Sequence, residues 1–238
     1  MYLPVKRKMS SFPMRNLLLN SLLSLLLLSS CSPGILKNFQ KTDSHLVNRG
    51  DFFPFFPSVD TTHLFNMQID FRKNHFSGFL LIKSVQPEVY RIAFTTHFGM
   101  SIFDFEFDNG EFKINHCLEA LNKKRVIQLL ENDFRILLFL NLDPDKNFSY
   151  IYKNKKNPDL EINRTENIYY LKDKKNETLL AIEAPHFFSS LSYGFTDYIN
   201  RFPSIVKIKH SRIGIKMQLE KIYPHLDAPQ EVQVKQPS

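Results

Sequence analysis

The chain has 238 residues, 43% hydrophobic and 23% charged, with 23 Phe and no Trp, a composition that excludes intrinsic disorder and suits one domain with a sizeable core. Its formal charge of +7 is concentrated at the start: without Lys6, Arg7, Lys8 and Arg15, the 31 basic residues fall to 27 against 24 acidic, a net of +3. That removes the main electrostatic support for a nucleic-acid partner.

Leu17 to Leu28 is an apolar run interrupted by Asn20, Ser21 and Ser24, with basic residues before it and Leu28-Ser29-Ser30-Cys31 after it. The run is shorter than the roughly 20 residues of a membrane-spanning helix, and its flanks are those of a secretory signal. Leu-Ser-Ser-Cys resembles the bacterial lipobox, in which small residues fit the signal peptidase and the Cys thiol takes the diacylglycerol. Residues 1–30 are therefore expected to be a removed leader, with Cys31 the lipid-bearing first residue of the mature chain. Met9 and Met14 serve as starts as well as Met1, since either leaves Arg15 and the whole apolar run. Ser32 lacks the acidic residue that retains lipoproteins at the inner membrane of enterobacteria, so the outer membrane is the expected destination.

If Cys31 carries lipid, Cys117 has no partner for a disulfide. It reads as a small buried hydrophobe at a strand end. Residues 31–62 show no sustained period and carry Pro33, Gly34, Pro54 and Pro57, the pattern of a tether. Within them Phe52-Phe53-Pro54-Phe55-Phe56-Pro57 is unusually apolar: it packs along the domain edge, lies on a membrane or plugs a groove.

From Leu64 the period is two. Leu64 to Phe71 and Phe76 to Lys83 read as strands, with Val85-Gln86-Pro87 as a turn. Tyr90, Ile92 and Phe94 then alternate with Val89, Arg91 and Ala93, and Phe103, Phe105 and Phe107 alternate with Asp104, Glu106 and Asp108. Placing both apolar rows on one face sets Ile92 opposite Phe103, Tyr90 opposite Phe105 and Arg91 opposite Asp104, an ion pair contributing about 0.2–1 kcal/mol. The connection is then a four-residue loop, Thr96 to Gly99, with Phe98 at its tip. Asn109-Gly110 supplies both positive-φ positions of a type I′ turn. It sets Phe107 against Phe112, Phe105 against Ile114 and Glu106 against Lys113.

Val126, Leu130, Phe134, Leu137 and Leu138 recur at helical spacing, with Asn122 as the expected cap and Asn141 and Pro144 at the end. This helix is expected across the apolar face of the sheet. Residues 143–159 read as a polar loop with a short strand at Phe148 to Tyr152. Strands follow at Ile168 to Lys172 and Thr178 to Glu183, the aromatic-rich stretch from Pro185 to Pro203 has no assignable type, and a last hairpin joins Ser204 to Lys209 with Ile213 to Leu219. The domain is expected over 63–223 and a polar tail over 224–238.

No metal, cofactor or catalytic site is expected. The eight His form no metal-ligand spacing, and there is no Gly-x-Ser-x-Gly, P-loop or dinucleotide fingerprint. Asp104, Glu106 and Asp108 have Arg91 and Lys113 as partners and read as a solvated outer face. What remains is the apolar face, either a solid core or the lining of a deformable pocket.

The order and spacing over residues 64–222 resemble the family of the outer-membrane lipoprotein receptor LolB and the lipoprotein carriers. The likeness runs from Cys31 through the Gly78 strand, Tyr90-Arg91-Ile92, the turn Thr96-His97-Phe98-Gly99, the helix from Asn122, Phe202-Pro203 and the hairpin from Ile213 to Leu219. His97 stands where the family has Pro, and the family's Trp-containing segments are missing. The resemblance implies a β-rich α+β fold: a curved antiparallel half-barrel covered by one or more helices around a cavity for acyl chains. It implies cargo contacts at Tyr90, Ile92, Phe94, Phe103, Phe105, Phe107, Phe112 and Ile114, at Val126, Leu130 and Phe134 of the helix, and at Ile215 and Met217. Phe98 would touch the membrane. The partners implied are lipoprotein acyl chains or lipid, a soluble periplasmic carrier, and the membrane through the anchor. The resulting expectation is a periplasm-facing, non-enzymatic lipoprotein that helps insert lipoproteins into the outer membrane. A non-transferring assembly lipoprotein with a solid core and a hydrolase of envelope lipids stay open as alternatives.

Overall fold

Period-two apolar rows become strands throughout the computed structural model, which describes residues 34–46, 60–142, 148–185 and 190–223. The expected leader, Cys31, Phe52 to Pro57 and the expected tail 224–238 lie outside the described residues. Two compact units divide the chain, Met1–Lys37 and Asn38–Ser238. In the first, Gly34–Leu36 form a 3-10 turn closed by the Lys37 amide donating to the Gly34 carbonyl at 3.1 Å.

The second unit holds thirteen described strands in chain order: β1 (Phe39–Leu46), β2 (Thr62–Phe71), β3 (Asn74–Gln86), β4 (Val89–Thr96), β5 (Ser101–Asp108) and β6 (Glu111–Cys117). After helix α1 (Lys124–Leu137) come β7 (Phe148–Asn154), β8 (Leu160–Thr165), β9 (Ile168–Asp173), β10 (Thr178–Pro185), β11 (Ser190–Ile199), β12 (Phe202–His210) and β13 (Ile215–Ile222). They form one antiparallel, curved and unclosed sheet, ordered β1-β7-β8-β9-β10-β11-β12-β13-β2-β3-β4-β5-β6. No described helix is long and apolar enough to cross a membrane.

The expected hairpins form, with corrections that have physical causes. Phe107 faces Phe112, Phe105 faces Ile114 and Glu106 faces Lys113 across Asn109 and Gly110, whose φ values are 48° and 88°. Between β4 and β5, however, Ile92 faces Phe105 and Tyr90 faces Phe107, with a bulge after Phe94. This differs from the expected register by two residues, a slip that keeps every side chain on its own face. Arg91 reaches Asp104 diagonally, donating from Nε and Nη2 at 3.1 and 2.7 Å. β3 continues through Val85 and Gln86, and the turn falls at Pro87 and Glu88, with Glu88 at φ 61°. The start of α1 is Lys123 rather than Asn122, and it makes no side-chain cap. Part of the expected tether, Phe39–Leu46, pairs with β7 as an edge strand.

Curvature follows from how α1 packs. Phe134 meets Phe103 of β5 with ring centroids 5.8 Å apart. The preceding residue, Asp133, receives a hydrogen bond on its carbonyl from the Tyr193 hydroxyl of β11 at 2.9 Å. β5 and β11 are six steps apart in the sheet, about 29 Å if the sheet were flat at ~4.8 Å per strand. Neighbouring helix residues touch both only because the sheet wraps around the helix. The core is dense beneath it: Phe103 stacks on Phe105 at 4.5 Å and meets the Phe94 ring at a tilt, 5.4 Å between centroids, and all three are fully buried.

Gly78 of β3 sits so close to Thr95 that a Cβ would strike its carbonyl, whereas a Cβ on Gly194 of β11 meets nothing within 4 Å. Urea unfolding should show Gly78→Ala destabilised by about 1–3 kcal/mol, the cost of overpacking, and Gly194→Ala close to wild type.

Candidate functional site

The strand directions bring several connections to one end of the sheet. β2 finishes there at Phe71, β3 starts there at Asn74, β4 finishes at Thr96 and β13 starts at Ile215. β12 finishes there at His210, paired with Leu191 near the start of β11. The Leu118 amide donates to the Ile102 carbonyl at 2.8 Å, so the segment leading into α1 leaves from the same end. At the far end of the helix, Arg135 Nη1 donates to the Gly110 carbonyl at 2.9 Å.

Between the first turns of α1 and this end of the sheet lies a cavity of about 650 Å³, within the range of about 300–1,000 Å³ usual for small-molecule sites. Its apolar wall is Phe71, Val126, Leu129, Leu191 and Ile213. Arg72, Lys123, Lys124 and Arg125 join that wall, with Gln128, Asn132 and His210, and among the described residues no carboxylate lines it. Arg72 occupies the β2–β3 turn in a left-handed conformation, φ 56°. His210 is almost wholly buried, its Nε2 2.9 Å from Asp133 Oδ2. Burial pushes the Asp133 carboxyl above the usual carboxylate range, partly countered by the hydrogen bond to His210. The pair fixes α1 to β12 at the cavity floor.

Of the expected cargo contacts, Val126 alone lines this cavity. Tyr90, Ile92, Phe94, Phe103, Phe105, Phe107, Leu130, Phe134, Ile215 and Met217 belong to the packed core, with Phe112 half-buried against it. Ile114 is 43% exposed on edge strand β6, beyond the helix. Phe98 is fully exposed at the β4–β5 tip, with Gly99 at φ 83° closing the turn through its amide to the Thr96 carbonyl at 2.9 Å. Beside it Met100 and Phe79 are exposed, and the His97 ring stands edge-on to Phe79 at 4.7 Å. This tip and the cavity share one end of the sheet.

Sequence reasoning missed Arg72, Lys123 to Arg125, Leu129, Leu191, His210 and Ile213. The one signal available was the run Lys123-Lys124-Arg125 at a helix start, where acidic residues are the favoured choice. Among the described residues no three His, Cys, Asp or Glu gather as metal ligands. Asp104 and Glu106 pair with Arg91 and Lys113, and burial raises the Cys117 thiol above its ordinary value.

A second polar cluster lies at the opposite end of β2. Lys221 Nζ donates to His63 Nδ1 at 2.6 Å and sits 5.1 Å from the Phe65 and Phe202 ring centroids. Burial lowers Lys221 to about 8, and burial with the neighbouring Lys221 charge lowers His63 to about 4. The unfolded chain therefore binds the Lys221 proton more tightly than the folded one, and this group makes folding more favourable as pH rises from about 8 to about 10.5. In Lys221→Met that part of the rise should vanish, which urea midpoints measured across this interval check.

The fold and the cavity together define an open, curved antiparallel sheet that carries one described helix and an apolar, cation-rimmed cavity. No family model and no curated protein matches the chain. It is similar to a crystal structure described as an outer membrane lipoprotein-sorting protein domain, from Vibrio parahaemolyticus, at 8% identity and a TM-score of 0.32, over 68% of this chain and 83% of that one.

Proposed function

We propose that this chain is an envelope lipoprotein, anchored through Cys31 and facing the periplasm at the outer membrane, that takes up the acyl chain of a lipid or lipoprotein and passes it to the bilayer. The observation that carries this reading is the cavity of about 650 Å³ with Phe71, Val126, Leu129, Leu191 and Ile213 in its wall. Cargo enters beside the helix rather than beneath it, because the face of β4 and β5 is filled by its own Phe rings. A soluble carrier delivers the cargo, and no covalent step is needed. Transfer follows apolar burial, about 0.8 kcal/mol per methylene. Phe98, at the same end of the sheet, meets the membrane at the moment of release.

The dense packing of Phe94, Phe103 and Phe105 favours a second reading, an assembly lipoprotein that holds no cargo. Transfer of a fluorescent acyl peptide to vesicles separates the two. Phe98→Glu should fold and bind the peptide as wild type does, since the tip packs against little. It should release the peptide at least tenfold more slowly, a barrier increase of about 1.4 kcal/mol. Release at the wild-type rate removes the role of Phe98, and wild type that takes up no peptide favours the assembly reading.

A further inference from the structure

Lys123, Lys124 and Arg125 are exposed at the first turn of α1, which carries no acidic residue, and Arg72 faces them from the β2–β3 turn. Among the described residues none of these four is in an ion pair. Three consecutive cations at the positive end of a helix repel both its dipole and one another, and an anion among them would relieve that cost. All four line the same cavity as the apolar wall of Phe71, Val126, Leu129, Leu191 and Ile213. Carbon and positive charge in one cavity, without a carboxylate among the described residues, match a molecule that has an apolar tail and an anionic head.

We propose that the cavity selects a single-chain amphiphile with an anionic head, carboxylate or phosphate, its tail on the apolar wall and its head between Arg72 and the Lys123 to Arg125 turn. This rests on the cavity reading above and adds the head-group chemistry. At about 30 Å³ for each water-sized group, the volume of about 650 Å³ holds on the order of twenty such groups, room for one acyl chain with its head. Gln128 and Asn132, one and two turns further along α1, supply neutral polar groups on the same side.

Displacement of an apolar fluorophore from the full chain, purified and stripped of lipid, tests this with three probes: palmitate, a monoacyl glycerophosphate and uncharged hexadecanol. The two anions should bind about tenfold tighter than hexadecanol or better, a margin that shrinks as salt screens the rim. Lys123→Gln combined with Lys124→Gln and Arg125→Gln should lose that margin while binding hexadecanol as wild type does. Arg72→Gln, on the facing turn, should lose part of it and decides the matter if the triple variant fails to bind hexadecanol. Tighter binding of palmitate assigns a fatty-acid carboxylate, and tighter binding of the glycerophosphate assigns a lysophospholipid head. Equal binding of all three probes, or a margin that survives both variants, overturns head-group selection and leaves the apolar cavity standing. Failure of all three probes to bind overturns both.

Discussion

Among the described residues one short α-helix has to serve a very wide sheet. At 14 residues α1 is about 21 Å long, while thirteen strands laid flat would span about 58 Å at ~4.8 Å each. The sheet solves this by wrapping, so that Asp133 and Phe134 reach β11 and β5 at once. What the helix covers is packed with Phe. What it fails to cover, at its first turns, becomes the cavity.

The anchoring of α1 is uneven in the same sense. Its second half is held by Phe134 on Phe103, by Arg135 on the Phe107 ring and the Gly110 carbonyl, and by Asp133 on His210. Losing His210 would leave the fully buried Asp133 carboxyl without that hydrogen-bond partner, a change that costs about 1–3 kcal/mol. The first half presents Lys123, Lys124 and Arg125 without a cap or an acidic neighbour. Stability is invested at one end of the helix, and the end left with uncompensated charge is the one that meets open space. The exposed Phe98 tip completes this arrangement, because the strand directions carry the β4–β5 turn to the cavity's end of the sheet.

The parts of the fold legible in the sequence were those where apolar alternation and turn chemistry agreed. The Asn109-Gly110 hairpin and the helix fall in this group. Register between β4 and β5 was not fixed by the pattern, because a slip of two conserves both faces and Arg91 can reach Asp104 directly or diagonally. β8 escaped detection because Glu161, Asn163 and Thr165 are buried, which erases its alternation. β1 is a polar edge strand with no period to find, and β11 is obscured by aromatic residues close to solvent as well as in the core. The tip at Phe98 was legible because a Phe at a turn has no core to join. The cavity was not, since its wall is assembled from a strand end, two turns, one helix face and the start of β11, brought together only by the sheet's closing around α1.

The central claim is that the open space beside α1 holds an acyl chain. Mass spectrometry of lipids carried by the full protein, extracted from its own membrane and compared with a Leu129→Glu variant, addresses it most directly. The account predicts an acyl lipid bound to the wild type in close to stoichiometric amount and missing from the variant. A folded wild type that carries no lipid, or a variant that carries as much, contradicts it.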